Sequence, residues 1–380
     1  MKRPQRLDRL PEQYFMGLLA RVQEAASRGG EPLVDLGRGN PDVAPPPHVI
    51  EALVESAREP SALVHGYAPF SGLPELRRAI ADRYAQHYGV ELDPDREVAV
   101  VPGTKSALAE LVLCVAERGD TVLLPDPYYP DYPSGVALAG AQLGLLPLDS
   151  ERGFAPRFDL VPRENVALVF LNYPSNPTAA AVREGTFAEA VAYAGETGAA
   201  IVHDFAYGDL VFDGRTPRSF LAEAGARDVG VELFSMSKSY GMAGWRLGFV
   251  VGNAELVSRV TTLQDHVRAG IFTPVQRAGI AALTGSQETV AERVQLYERR
   301  RDRVLAAVGD LAARCEGTFY VWIRLPDDVT PELLLAEHRL VVAPGEGFGR
   351  SGAGWARLSL ATPDELIELG LERLVAGLRG

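Results

Sequence analysis

From Glu97 onward, short apolar runs alternate with amphipathic ones, and that alternation constrains the fold more than any other feature of the chain. Residues 98–101, 121–124, 166–171, 200–203, 231–235 and 247–251 are predominantly apolar runs of strand length, and residues 106–117 and 186–196 between them have helical periodicity. Strands without an exposed polar face, separated by helices, predict an α/β fold with a mostly parallel sheet covered on both sides. Helices are also expected over 48–58 and over 73–88, where Leu76, Ile80 and Tyr84 share a face. A long helical stretch at 276–311 ends this regime. Strands at 318–323 and 355–360 then flank a helix at 331–338, and a last helix spans 363–378. The pattern predicts a large domain over residues 45–280 and a smaller α+β domain built from 1–44 plus 281–380.

Ligands of open parallel sheets gather at the carboxyl ends of the strands, so those ends are the places to look for chemistry. The first strand ends in Pro102-Gly103-Thr104-Lys105 and opens a helix whose free N–H groups can hold an anion. It matches neither the phosphate loop of nucleotide hydrolases nor the dinucleotide fingerprint. The second ends in a proline-stiffened loop bearing Tyr128, Tyr129 and Tyr132, which either offers a flat face to an aromatic ligand or packs internally. The third leads into Asn172-Tyr173-Pro174-Ser175-Asn176-Pro177-Thr178, where Asn176 is a polar anchor or an ordinary turn residue. The fourth ends at Asp204, a carboxylate that either caps a helix or pairs with a cation. After the fifth come Ser235, Ser237 and Lys238, followed by Gly241 and by Gly244-Trp245-Arg246.

Lysine usage singles out one of these residues. Of 38 basic residues only Lys2, Lys105 and Lys238 are lysine. Arginine keeps its proton, whereas lysine can lose its charge and form a Schiff base. Lys2 reads as a surface residue; Lys238 sits in a loop of hydroxyls and glycines beside a guanidinium.

An amine, a carboxylate, a stacking ring and an anion cradle at strand ends are the parts needed to hold pyridoxal phosphate. With Lys238, Asp204, Asn176 and Arg246 in order, the chain resembles the class I/II aminotransferases of fold type I from about Val34 onward. The resemblance implies a large domain with a mostly parallel seven-stranded sheet. It implies that Lys238 binds the cofactor and moves the substrate proton, and that Asp204 pairs with the ring nitrogen. By the same likeness Asn176 and Tyr207 bond the ring 3′-oxygen and Tyr129 stacks on the ring. Gly103, the N–H groups of Thr104 and Lys105, Ser235, Ser237 and Arg246 cradle the phosphate. Tyr67, in His65-Gly66-Tyr67, reaches the phosphate of a neighbouring subunit, so a homodimer with shared active sites is implied. Arg357, in Trp355-Ala356-Arg357-Leu358-Ser359, matches the residue gripping the substrate α-carboxylate, aided by Gly39 and Asn176. The likeness leans toward the alanine, diaminopimelate and methionine-salvage branch. Ala179 replaces a common glycine and argues against a left-handed backbone there. Tyr14 and Phe15 either line an apolar pocket or pack, and Arg268 is a candidate for a second substrate carboxylate.

The activity implied is transfer of the α-amino group of an L-amino acid to a 2-oxo acid. A C–S lyase, or another cofactor-retaining branch, would keep the same lysine, aspartate and arginine. An aminotransferase-like sensor domain of a transcription regulator is disfavoured, because only a short segment precedes the shared region and the net charge is −12. That charge also argues against nucleic-acid or anionic-membrane partners. Cys114 and Cys315 have neither metal-ligand nor disulfide-framework spacing, so no metal is expected. No run reaches membrane-spanning length, and residues 1–20 lack a signal-peptide layout, so a cytoplasmic location is expected.

Overall fold

Eight strands form the central sheet: β1 (Val98–Val101), β2 (Thr121–Asp126), β3 (Gln142–Asp149), β4 (Ala155–Pro156), β5 (Val166–Asn172), β6 (Ala200–Asp204), β7 (Gly230–Ser235) and β8 (Gly248–Gly252). The structure is a computed structural model and describes residues 3–379, so Met1, Lys2 and Gly380 lie outside the described residues. Across the sheet the order is β1-β8-β7-β6-β5-β2-β3-β4. The run from β7 through β6, β5 and β2 to β3 is parallel, β8 is antiparallel to both neighbours, and β4 pairs antiparallel with β3.

The apolar runs form strands because both faces of the sheet are covered. Helices Thr104–Val115 and Ala254–Val267 bury Leu108, Leu111, Val257 and Val260 against one face. Helices Pro74–Tyr88, Thr186–Thr197 and Thr273–Thr284 bury Leu76, Ile80, Phe187 and Ala278 against the other. Emptying one such position by Leu→Ala costs about 2–5 kcal/mol.

A second, three-stranded sheet pairs Trp355–Ser359 antiparallel with Tyr320–Arg324 and with Ala343–Pro344. Helices Pro331–His338, Glu288–Val308 and Asp364–Arg379 accompany it. The short strand Val34–Asp35 runs parallel to Leu340–Val341, which ties the N-terminal segment to the C-terminal region. Val34 and Leu36 share a core with Leu340, Leu358 and Leu371.

Two expectations need correction. The sheet has eight strands rather than seven, the additional one being the two-residue edge strand β4. The stretch 276–311 is not one helix but two, Thr273–Thr284 and Glu288–Val308, followed by a single turn at Gly309–Leu311. The break falls at Gly285, where the backbone turns extended and the Gln287 side chain donates to the carbonyls of Ala282 and Gly285.

Sheet register puts the interesting strand ends side by side. Asn172 lies opposite Asp204, and Asp204 opposite Leu233. Val101 and Ser235 both lie opposite Gly248. The carboxyl ends of β1, β5, β6 and β7 therefore open onto one edge.

Candidate active site

A cavity of about 350 Å³ sits at that edge, between the sheet and the second, smaller sheet. Of the residues singled out in the sequence, Gly39, Thr104, Lys105, Tyr129, Asn176, Asp204, Tyr207, Lys238 and Arg357 all line it.

Lys238 lies in the single turn Met236–Ser239 directly after β7, and the Ser235 hydroxyl caps that turn by accepting from the Ser237 N–H at 3.3 Å. Its Nζ lies 5.2 Å from the Phe319 ring centroid and 5.8 Å from that of Tyr207. Burial pushes its pKa down to about 8, Arg357 and Arg246 push the same way, and Asp204 opposes them. An amine with that value is still mostly protonated near physiological pH, but about a tenth of it is neutral, far more than for an ordinary lysine.

Asp204 is buried, and no cation pairs with it among the described residues. Its Oδ2 accepts from the Tyr132 hydroxyl at 2.8 Å and its Oδ1 from the Ala206 N–H at 3.2 Å. Burial raises its pKa against the opposing pull of those two hydrogen bonds. The local bond to Ala206 satisfies the capping reading in part. A buried carboxylate without a cation still costs free energy, so a cationic group of a ligand would suit it.

Arg357 presents the reverse case. Its side chain is 0% exposed, and no carboxylate pairs with it among the described residues. Nη1 donates to Asn176 Oδ1 at 2.8 Å and Nη2 to the Gly37 carbonyl at 3.1 Å, while Nε has no partner. The guanidinium carbon lies 3.9 Å from the Tyr320 ring centroid. A buried cation satisfied only by neutral acceptors is a ready site for a carboxylate. Gly39 has to be glycine here, because a Cβ would collide with the Tyr320 hydroxyl.

Asn172 and Tyr320 are site residues that the strand-end reading passed over. Asn172 Oδ1 accepts from the Asn176 N–H at 2.7 Å and its Nδ2 donates to the Asp204 carbonyl at 2.8 Å, so one side chain links two strand ends. Tyr207 donates to the Tyr320 hydroxyl at 3.3 Å. Asn172 carried a usable signal, a polar residue ending an apolar strand; Tyr320 carried none. Ala179 corrects another expectation: it adopts φ 57, left-handed despite its Cβ. Such a residue costs roughly 1–2 kcal/mol, and its carbonyl holds the N–H groups of Glu316 and Gly317.

Of the residues expected to cradle an anion, Thr104 and Lys105 line the cavity, whereas Gly103, Ser235, Ser237 and Arg246 are not among its lining residues. Gly103 has φ 83, and a Cβ there would strike Arg246. Arg246 itself is left-handed and donates to the carbonyls of Ala243 at 2.7 Å and Pro102 at 3.4 Å. The twelve-residue helix Thr104–Val115 starts there with free N–H groups. The Lys105 side chain pairs with Asp131 at 2.9 Å.

Helix Tyr14–Ser27 covers the mouth, with Phe15, Leu18, Leu19 and Val22 facing the cavity. Tyr14 instead packs on Phe348 and donates to the Pro344 carbonyl. The loop tyrosines divide likewise: Tyr129 lines the cavity, while Tyr132 stacks on Phe170 beneath Asp204. Tyr67 is 91% exposed and stands outside the cavity, and Arg268 is engaged with Glu110 at 3.0 Å. The Cys114 and Cys315 thiols are pushed up to about 11 and about 12 by burial. No group of three metal-ligating side chains occurs among the described residues, and no helix among them is long and apolar enough to cross a membrane.

The family profile "Aminotransferase class I and II" matches residues 31–374. The chain is 40% identical over 378 residues to the L-glutamine–4-(methylsulfanyl)-2-oxobutanoate aminotransferase of Bacillus subtilis, covering 97% of this chain and 94% of that one. It is also 40% identical to the glutamate-pyruvate aminotransferase AlaC of Escherichia coli, covering 98% and 93%. Among solved structures, substrate-bound BacF of Bacillus subtilis superposes with TM-score 0.93 at 37% identity, covering 99% and 98%. A single mutant of the aspartate aminotransferase of Thermus thermophilus superposes with TM-score 0.89 at 29% identity, covering all of both chains.

Proposed function

The chain belongs to the class I and II aminotransferase family, a pyridoxal-phosphate-dependent group that moves an amino group between an amino acid and a 2-oxo acid, and from that premise we propose how its own residues divide the work. When bound, the cofactor supplies an aldehyde that condenses with amines and a ring that accepts electrons.

Lys238 would be the amine that holds the cofactor, and its Nζ would take the proton from the substrate α-carbon and deliver it on the cofactor side, the 1,3-shift that moving the amino group requires. A pKa near 8 supports both tasks at neutral pH. Asp204 holds a proton on the ring nitrogen, and Tyr132 keeps that carboxylate in place. Asn176 and Tyr207 hold the ring oxygen and Tyr129 covers the ring face. Gly103, the N–H groups of Thr104 and Lys105, Ser235, Ser237 and Arg246 hold the phosphate. Arg357 binds the substrate α-carboxylate, with Asn176 and the Gly37–Gly39 backbone beside it. The apolar wall of helix Tyr14–Ser27 shields the reacting atoms from water.

The observation that carries this reading is the pair of uncompensated buried charges, Asp204 and Arg357, facing one cavity with a depressed lysine between aromatic rings. We read the chain as a large cofactor-binding domain over 45–280 and a small domain of 1–44 plus 281–380, supported by the core joining Val34 and Leu36 to Leu358 and Leu371, which meets the larger domain at Leu210 and Phe212. We also read it as a cytoplasmic homodimer in which Tyr67 completes the neighbour's phosphate site. An exposed apolar face around Leu63 (88%), Tyr67, Val267 and Phe272 supports the second copy.

The test is a matrix of amino donors and 2-oxo acid acceptors. The reading requires 2-oxo acid and new amino acid in equal amounts. Release of pyruvate and ammonia without amino transfer would replace it with a lyase.

A further inference from the structure

The helix Glu288–Val308 buries Arg293, which is 1% exposed and has no carboxylate partner among the described residues. Its Nη1 donates to the carbonyl oxygens of Lys238, at 3.2 Å, and Ser239. Its Nη2 donates to the carbonyl of Ala44 at 3.0 Å. Burial lowers its hold on its proton, and Tyr297 and Asp42 partly restore it. Keeping such a cation buried without an anion is costly, yet all its bonded contacts are main-chain oxygens of two segments distant in sequence.

The same helix face continues with Tyr297 and Arg300. Tyr297 donates to Asp42 Oδ1 at 3.0 Å, and Arg300 to Asp42 Oδ2 at 2.7 Å. The segment they hold is the continuation of Gly37–Asn40, whose Gly37 carbonyl accepts from Arg357. The fit is close: Gly241, at φ 70, has no room for a Cβ between the Val43 carbonyl and the Arg293 guanidinium.

We propose that Arg293 is a positioning residue that bolts the Lys238 turn to the Gly37–Ala44 segment. It thereby fixes the separation between the Lys238 amine and the carboxylate held by Arg357. The inference rests on the reading of Lys238 as the cofactor-binding amine. Arg293 touches neither substrate nor cofactor; it acts through the carbonyls of Lys238 and Ser239.

Arg293→Met and Arg293→Lys test this beside Arg301→Met on the same helix. Arg301 is as buried as its neighbour Arg300, but it binds Asp213 and the Cys315 carbonyl, away from the Lys238 turn. Hydrogen exchange of peptides spanning 236–246 and 37–44 is measured with the pH titration of the lysine-bound cofactor band, kcat, KM and melting temperature. Arg293→Met is expected to speed exchange in both peptides, shift the titration and lower kcat by about ten- to a hundredfold with a smaller change in KM, as misplacement of a reacting group does. Arg293→Lys, which keeps one donor group, should recover part of each effect and answers the question if Arg293→Met does not fold. Arg301→Met should lower the melting temperature and leave exchange in the two peptides, the titration and kcat unchanged. Parallel losses in the Arg293 and Arg301 variants, with unchanged exchange at 236–246 and an unchanged titration, would overturn the proposal. Absence of any lysine-bound band in the unmodified enzyme would instead remove the Lys238 reading on which it stands.

Discussion

Arg357→Met replaces a fully buried guanidinium by an apolar side chain of similar length, and the structure sets the size of its consequences. Removing one member of a buried, hydrogen-bonded charge pair costs about 2–5 kcal/mol of binding. At about 1.4 kcal/mol per decade, kcat/KM for amino acid donors should fall by roughly thirtyfold to a few thousandfold, mainly through KM. Stability should respond differently. The change leaves Asn176 Oδ1 and the Gly37 carbonyl without their donor, but it also removes a buried cation that has no anion in the cavity, and replacing such a charge is often neutral or favourable. The two effects oppose, so the melting temperature should move by only a few degrees, about what 1–2 kcal/mol produces in a chain of this size. Arg357 is also the charge that most strongly depresses the Lys238 amine, so the variant's amine should titrate above about 8. Steady-state kinetics over a donor series, a thermal melt and the pH dependence of Lys238 labelling by an amine reagent in cofactor-free protein give the three readouts. An unchanged KM would refute the reasoning, because it would mean that the substrate carboxylate goes elsewhere.

Lys238 makes stability depend on pH in cofactor-free protein. Its folded pKa of about 8 lies below its ordinary value of 10.5, so between those values the unfolded chain binds more protons and stability from this group rises with pH. A Lys238→Met variant should therefore be more stable than the unmodified chain below pH 8, with an advantage that shrinks as pH climbs through 8 to about 10; a constant difference in urea melts would contradict the shift. Leu63→Asp with Phe272→Asp should convert a particle of twice 41.0 kDa into a monomer by light scattering and abolish cofactor retention that depends on a neighbour's Tyr67. A monomeric unmodified protein would remove that reading.

What the sequence disclosed was what the backbone alone imposes. Strands such as Val98–Val101 and Gly230–Ser235 are buried along their whole length, so their composition is mainly apolar, with Glu232, bonded to His203 and Ser219, the exception, and their ends stand out. Reading those ends found Lys238, Asp204, Asn176 and the Gly103 turn. Strand β3, only partly buried near the sheet edge, has no such signature, and the two-residue β4 none at all. The missed contacts cross long stretches of sequence. Tyr132 meets Asp204 and Tyr320 meets Gly39 only because the register and the second sheet bring them there, and no local pattern encodes that. Ala179 shows the converse: a residue type argued against a left-handed backbone, and tertiary bonds from Glu316 and Gly317 overrode it. Helix Tyr14–Ser27 is amphipathic like any surface helix, and nothing in its spacing says that its apolar face covers a cavity.

With only three lysines in the chain, chemical trapping gives a sharp answer to the central question. Enzyme loaded with pyridoxal phosphate is reduced with borohydride, digested and mapped by mass spectrometry. A phosphopyridoxyl mass is expected on the peptide carrying Lys238 and on no other. Labelling at Lys105 or Lys2 instead, or none at all, would contradict it.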